Sequence, residues 1–347
     1  MTQSADSRLA IVVTSIAGPT PAVRQIAAGS VERSIRFHVI GDASSPKEFH
    51  LPGCEFHSLR RQRDSGFLTA LKCPTGHYAR KNAGYLAAIR EGAQVIVETD
   101  DDNYPREAFW NPRPRLVDAP VVRSGGWVNV YRYFSDLNIW PRGLPLTATQ
   151  TPVPEYGSLS SQVVHCPIQQ GLADENPDVD AIYRLTLPLP VSFRSDRRVS
   201  LGTGVWCPFN SQNTAWFQEA FLLMYLPAYC SMRMTDIWRG LIAQRIAWTN
   251  GWSVLFHGPT VSQERNDHDL MRDFQDEIAG YLHNARIARE LERLTLEPGL
   301  AAMAANLRMC YDALVRLSIL DARELGLLDA WLSDNAVLSQ SASGASA

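Results

Sequence analysis

No CxxC pair occurs among the six cysteines at positions 54, 73, 166, 207, 230 and 310. A zinc ribbon or a disulfide framework is therefore not expected, and a reducing compartment fits. Long apolar runs are missing as well. The most apolar late stretch, Phe221–Leu226, is bounded by Glu219 and Pro227 and is too short to cross a bilayer. The opening MTQSADSR is polar, and Leu9–Ile16 behind it is strand-length with no cleavage site, so no signal peptide is expected and a cytoplasmic protein is. Excess positive charge is absent too: 33 Lys and Arg face 36 Asp and Glu, a formal net charge of -3. That argues against a general nucleic-acid binder. There is no internal repeat. What remains is 347 residues, 45% of them hydrophobic, enough for a large core in one big domain or two small ones.

The most informative stretch runs from Tyr78 to Pro105. Ala79, Ala83, Leu86 and Ile89 recur at helical spacing, predicting an amphipathic helix over about Tyr78–Glu91 with Gly92 at its end. Gln94–Glu98 is a short β-branched strand of the kind buried in a parallel sheet. It runs straight into Asp100, Asp101 and Asp102. Three adjacent carboxylates repel one another unless a cation relieves them. In extended chain Asp100 and Asp102 project to one side and Asp101 to the other. Two hard oxygen ligands one residue apart suit Mn2+ or Mg2+ holding a diphosphate. Arg80 and Lys81, near the helix start, are placed to neutralise the same phosphates. A solvated acidic turn is the plain alternative.

Elsewhere, Leu9–Ile16 reads as a buried first strand and Pro21–Ala28 as a helix. Ser34–Ile40 and a weaker Cys54–Leu59 follow as strands. Their alternation with helices predicts a mainly parallel α/β sheet. Ligands in such sheets sit beyond the strands' carboxyl ends, where Thr14, Ser15, Asp42 and the acidic triplet all fall. Asp42 suits a base N–H or, equally, a turn. Pro105–Pro120 reads as a loop over the sheet edge, and Trp127–Pro154 as an aromatic, Arg- and Pro-rich segment able to stack on sugar or base or simply to pack. Asp178 and Asp180 flank Val179; sugar-hydroxyl binding competes with helix capping by Asp178. Phe209–Thr214 is expected before a helix from Ala215 to Tyr225. Thr235 or Asp236 caps a helix with Ile237, Leu241, Ile242 and Ile246 on its apolar face, and Asp236 can also face a cleft as a general base. His257 and His268 are each able to complete an Asp-based metal site. Helices are expected from Asp269 to about Leu332, before a low-complexity tail.

Four motifs together carry a resemblance: Glu98-Thr-Asp-Asp-Asp-Asn-Tyr-Pro105, Cys166-Pro-Ile-Gln-Gln-Gly171, Asn176-Pro-Asp-Val-Asp-Ala181 and Thr235-Asp-Ile-Trp-Arg-Gly240. Over roughly Leu9 to Leu282 the chain resembles the STELLO-like glycosyltransferases, and more distantly the reversibly glycosylated polypeptides that include UDP-arabinopyranose mutases. The resemblance implies a GT-A-like fold, a mixed, mainly parallel α/β sheet flanked by helices, with a C-terminal helical extension outside it. The expected organisation is a nucleotide-sugar-binding half over 1–125, an acceptor half over 126–268, helices over 269–335 and a disordered tail over 336–347. It further implies a nucleoside-diphosphate-sugar donor, uridine-linked, with Mn2+ or Mg2+ on Asp100, Asp102 and His268. Thr14, Ser15, Asp42, Arg80, Lys81, Asp100, Asp101, Asp178 and Asp180 are the expected donor-binding set. Asp236 takes the acidic position beside a glycan or small-molecule acceptor. The expected activity is hexosyl or pentosyl transfer, with a nucleotide-sugar mutase or a non-catalytic nucleotide-sugar-binding protein as alternatives. A homo-oligomer is compatible with all three.

Overall fold

The computed structural model describes residues 8–265 and 269–344. The amino-terminal elements are β1 (Leu9–Thr14), α1 (Pro21–Arg33), β2 (Arg36–Ile40), β3 (Glu55–His57), α2 (Leu59–Asp64), α3 (Leu68–Lys72), α4 (Lys81–Arg90) and β4 (Val95–Thr99). Then come β5 (Asn103–Pro105), β6 (Leu116–Val122), β7 (Gly126–Trp127), β8 (Ser161–His165), β9 (Ile168–Asp174), α5 (Ala181–Thr186), β10 (Arg198–Leu201), β11 (Val205–Trp206) and β12 (Asn213–Phe217). The chain closes with α6 (Thr235–Thr249), β13 (Val254–Gln263), α7 (Leu270–Arg293), α8 (Met303–Arg316) and α9 (Arg323–Gly344).

One large sheet has the order β3-β2-β1-β4-β12-β9-β13-β10-β6-β8, with β5 on β13; β7 and β11 form a separate pair. From β3 to β4 every pairing is parallel. Antiparallel β12 then lies between β4 and β9, and β9 pairs β13 in parallel. Helices flank the sheet, so the mixed α/β architecture with its carboxy-terminal helices is the expected one. It is consistent with a GT-A-like fold. Because β1, β2 and β4 run together, Thr14, Ile40 and Thr99 end at one edge. Asn213, opposite Thr99, brings the chain before β12 to that same edge.

Several local expectations need correcting. The α4 helix is not amphipathic: Lys81 to Ala88 are all buried. It presses so closely on β1 and β2 that a Cβ on Gly84 would stand 2.6 Å from Val12 and Ile40. Pro105–Pro120 is not a loop, since it contains part of β5, a 3-10 turn and most of β6. Prolines are tolerated in these short outer pairings. Residues 213–217, partly expected as helix, form β12, and Gln218–Met224 is a 3-10 turn. Pairing on both sides overrides helical spacing there. The residue capping α6 is Met234, without a side-chain bond, so neither Thr235 nor Asp236 caps it. The stretch 336–344, expected disordered, continues α9 to Gly344. Residues 345–347 lie outside the described ones.

The carboxy-terminal helices share the main core. Trp331 and Leu328 are buried in it, and Asp334 accepts the Leu68 and Thr69 amides (3.0 and 2.8 Å) at the start of α3. Below the cleft edge, Glu98 of β4 pairs with Arg239 of α6 (2.8 Å) and accepts from Trp216 of β12 (2.7 Å). This buried node ties the strand that leads to the acidic triplet to the helix that carries Asp236. Gly240 allows the fit, because a Cβ there would meet the Phe209 carbonyl at 2.7 Å. Among the described residues no helix is long and apolar enough to cross a membrane.

Candidate functional site

A cleft of about 750 Å3 opens at the carboxyl ends of β1, β2 and β4. Thr14, Ser15, Asp42, Arg80, Asp100, Asp101, Asp102, Asp178 and Asp236 all line it. These residues span more than two hundred positions of chain. The parallel register of β1, β2 and β4 and the antiparallel entry into β12 bring them together.

The chain is not extended at the triplet: a turn closed by Asn103 N on the Asp100 carbonyl at 3.3 Å sends the three carboxylates different ways. Asp101 turns to β1, where Ser15 Oγ donates to its carboxylate at 2.5 Å and Thr20 Oγ1 to its carbonyl at 2.5 Å. Burial raises its pKa against the lowering effect of the Ser15 bond. Asp100 faces α4 and β12. Tyr78 donates to it at 2.8 Å, and Lys81 Nζ stands 3.3 Å away. Burial pushes its carboxyl up to about 6; Lys81 opposes that and Asp102 adds to it. Asp102 accepts from Gln263 Nε2 at 3.0 Å, next to the end of β13.

The second centre lies at the start of α6. Asp236 and Asp178 grip one guanidinium, that of Arg142. Asp178 receives two bonds of 2.8 Å and Asp236 bonds of 2.9 and 3.1 Å. All three side chains are at most 9% exposed. Burial alone would raise the Asp236 pKa, but Arg142 overrides it and holds the carboxyl below its ordinary range. The positive end of α6 works in the same direction. Asp236 also accepts from Ser211 N and Oγ at 3.2 Å. Ser211 Oγ lies 2.7 Å from Tyr78 Oη. A continuous polar path therefore runs Asp100, Tyr78, Ser211, Asp236, Arg142, Asp178.

Other sequence-selected residues have different tasks. Arg80 turns its guanidinium inward, to Gln62 (2.9 Å) and the carbonyls of Ala70 and Cys73 (2.8 and 2.9 Å), and so pins the loop before α4. Lys81 is fully buried, donating to Tyr78 and to the Thr99 carbonyl, both at 2.7 Å. Both cations are engaged by acceptors of buried strands and turns, Arg80 at the border of the cleft and Lys81 beside Asp100. Asp42 clamps the Gly76 and His77 amides (2.8 and 2.9 Å). Asp180, not Asp178, is the helix cap: it accepts from Tyr183 N (2.8 Å) and Trp140 Nε1 (2.7 Å), and it does not line the cleft. His257 lies in β13 outside the cleft lining, its pKa lowered by burial to about 4. His268 lies outside the described residues.

Among the described residues, the one trio of histidine, cysteine or acidic side chains with ligand atoms within 4.8 Å of one another is His38, Glu55 and His57. It is a possible metal-binding group at the β2–β3 edge, apart from the cleft. His57 also borders a second cavity of about 230 Å3, which contains none of the cleft carboxylates. Burial, then His38, Arg61 and Arg90 lower the His57 pKa to about 3, while Glu55 and Glu91 stand within 3.8 Å of His38.

Sequence reasoning missed Arg142, Tyr78, Ser211 and Arg184. Arg142 stood in an aperiodic Trp-, Pro- and Arg-rich segment, where its two acidic partners, 36 and 94 positions away, left no local trace.

A mixed sheet with an acid-lined cleft at its strand ends is consistent with the GT-A-like class of nucleotide-diphospho-sugar transferases. Residues 233–341 match the family model described as STELLO glycosyltransferases. "Probable glycosyltransferase STELLO2" of Arabidopsis thaliana is 28% identical over 331 residues, covering 85% of this chain and 40% of that protein. "Probable glycosyltransferase STELLO1" of the same plant is 30% identical over 250 residues, covering 64% of this chain and 31% of that protein. The chain thus spans less than half the length of these curated relatives. The family match takes in α7, α8 and most of α9, so the carboxy-terminal helices lie inside the resemblance, not outside it. A crystal structure titled as that of a mycobacterial protein is 11% identical with a TM-score of 0.41, covering 80% of this chain and 74% of its own. A likeness that low carries nothing about fold or function.

Proposed function

We propose that the chain is a metal-dependent glycosyltransferase, moving a hexose or pentose from a uridine-diphosphate sugar to an acceptor hydroxyl. The observation that supports this most is the polar path from Asp100 through Tyr78 and Ser211 to Asp236 across one cleft. It joins a carboxylate pair suited to a cation with a carboxylate fixed in its ionised form. The STELLO likeness supports the same class.

Asp100 and Asp102 fit a divalent ion. They are hard oxygen donors one residue apart, and burial and mutual repulsion already disfavour Asp100's charge. Mn2+ or Mg2+ held there supplies Lewis-acid stabilisation to a departing diphosphate. Lys81 and Tyr78 hold Asp100 in place; Ser15, through Asp101, locks the triplet to β1. Thr14 and the loop fixed by Asp42 frame the nucleoside end. Asp236, anchored by Arg142 and held well ionised, is a weak base, and its role is to accept a hydrogen bond from the acceptor hydroxyl and orient it.

A thermal-shift screen of nucleotide sugars with and without Mn2+ tests the reading, because a ligand selective for the native state raises its melting temperature. A UDP-sugar should stabilise the protein only when Mn2+ is present. Product analysis should show sugar transferred to an acceptor. A ring-isomerised donor without acceptor would replace this reading by a mutase. Tight binding with no turnover over a broad acceptor panel would replace it by a binding protein.

A further inference from the structure

We infer that Arg184, with Arg265 beside it, forms an oxyanion subsite that receives a phosphate or carboxylate carried by the acceptor. Both arginines line the cleft on the Asp178 side. The word acceptor rests on the glycosyltransferase reading; the oxyanion site does not.

The cleft's other arginines that contact its acids are already matched. Arg142 has Asp178 and Asp236, Arg233 has Glu277 at 2.8 Å, and Arg265 has Asp273 at 2.6 Å. Arg184 differs. Among the described residues its guanidinium makes one hydrogen bond, from Nη2 to the Pro177 carbonyl at 2.8 Å, and no ion pair. Its Nε is buried without a partner, and so is Nε of Arg265. A buried donor without a partner is costly, the more so when it belongs to an ion. Here two such cations also face each other: burial and Arg265 push the Arg184 pKa down to about 10.

The acids that act on Arg184 are Asp178 and Asp273. Each already serves another arginine, Arg142 and Arg265 respectively. One oxyanion entering the cleft would satisfy the idle N–H groups and separate the like charges. The planar guanidinium fork matches two such oxygens at once. The donor diphosphate has the same chemistry, but the reading above assigns it to the triplet. We place the acceptor's oxyanion on the Asp178 side of the cleft, where Arg184 holds the Pro177 carbonyl.

Calorimetry with two probes tests this: inorganic phosphate alone, and UDP with Mn2+. The proteins are the wild type, Arg184→Gln, Arg184→Lys and Asp102→Asn. Phosphate should bind the wild type and Asp102→Asn alike, and about tenfold more weakly to Arg184→Gln. UDP with Mn2+ should bind Arg184→Gln within about twofold of the wild type. Arg184→Lys, which keeps the charge and loses the fork, should fall between; it carries the test if the glutamine variant does not fold. Phosphate binding that is absent from the wild type, or indifferent to both substitutions, overturns the subsite. A loss of UDP affinity as large as the loss for phosphate also overturns it, by assigning Arg184 to the donor. If the wild type binds phosphate but not UDP with Mn2+, the donor reading fails while the subsite stands.

Discussion

Asp100 and Asp236 are the same residue type, set deep in one cleft and linked by two hydroxyls, yet their pKa values move in opposite directions. Asp100 has an ammonium at 3.3 Å and a second aspartate two positions on, and burial wins: its carboxyl rises to about 6. Asp236 has a guanidinium in direct contact with both its oxygens, and the cation wins over burial. A planar fork with bonds near 3 Å compensates a buried charge far better than a shared ammonium. The difference separates two tasks. The first centre is short of positive charge and suits a divalent ion; the second is complete without a ligand and suits holding a substrate.

The comparison breaks most visibly if the guanidinium is taken away. Arg142→Met leaves Asp178 and Asp236 buried without their cation and should destabilise the fold by about 3–5 kcal/mol in denaturant titration. A loss below about 1 kcal/mol would mean that the two aspartates are already compensated elsewhere.

Stability against pH sharpens the contrast next. A raised folded-state pKa at Asp100 gives stability that is present below its ordinary 3.8 and lost as pH rises through about 6. A depressed pKa at Asp236 gives stability that is present above 3.8 and lost as pH falls further. At pH 7 without metal, Asp100→Asn should therefore be the more stable protein by about 1–2 kcal/mol, the solvent reaching its 28%-exposed side chain being allowed for. That advantage should vanish near pH 4. Asp236→Asn should be the less stable protein at pH 7 and approach the wild type in acid. Parallel profiles for the two variants would contradict the assignment of causes. The smallest effect belongs to the link between the centres: Tyr78→Phe removes the bonds to Asp100 and Ser211 and should cost about 1 kcal/mol, read as a shift in the denaturation midpoint.

How much of this was readable in the chain depended on distance. The β4 run into the triplet is local, and β-branched residues followed by three acids announce a strand end. The split of Asp101 from Asp100 was expected from strand alternation, but a turn closed by Asn103 N on the Asp100 carbonyl produces it. Arg80 and Lys81 were legible as cations near the triplet, and Lys81 does reach Asp100, but their other partners are Tyr78, Gln62 and backbone carbonyls, which only the fold supplies. Residues 213–217 carry no local strand signature strong enough to oppose helical spacing; β4 and β9 on either side decide the matter, and Trp216 bonds Glu98 from 118 positions away. Arg142 is the extreme case, because its role exists only once α6 and the Asp178 loop meet. The tail after 335 misled in the other direction: its Ser and Ala composition looked unstructured, but Ala favours helix and α9 is already nucleated by the packing of Trp331.

The central claim is that a divalent cation joins Asp100 and Asp102 to a diphosphate. Calorimetric titration of UDP into the wild type and Asp102→Asn, each with Mn2+ and with a chelator, tests it most directly. The expected result is that UDP binds the wild type only with Mn2+, and that Asp102→Asn loses at least about tenfold of that affinity at an unchanged melting temperature. Equal UDP affinity in the chelator, or in the Asp102→Asn protein, would contradict it.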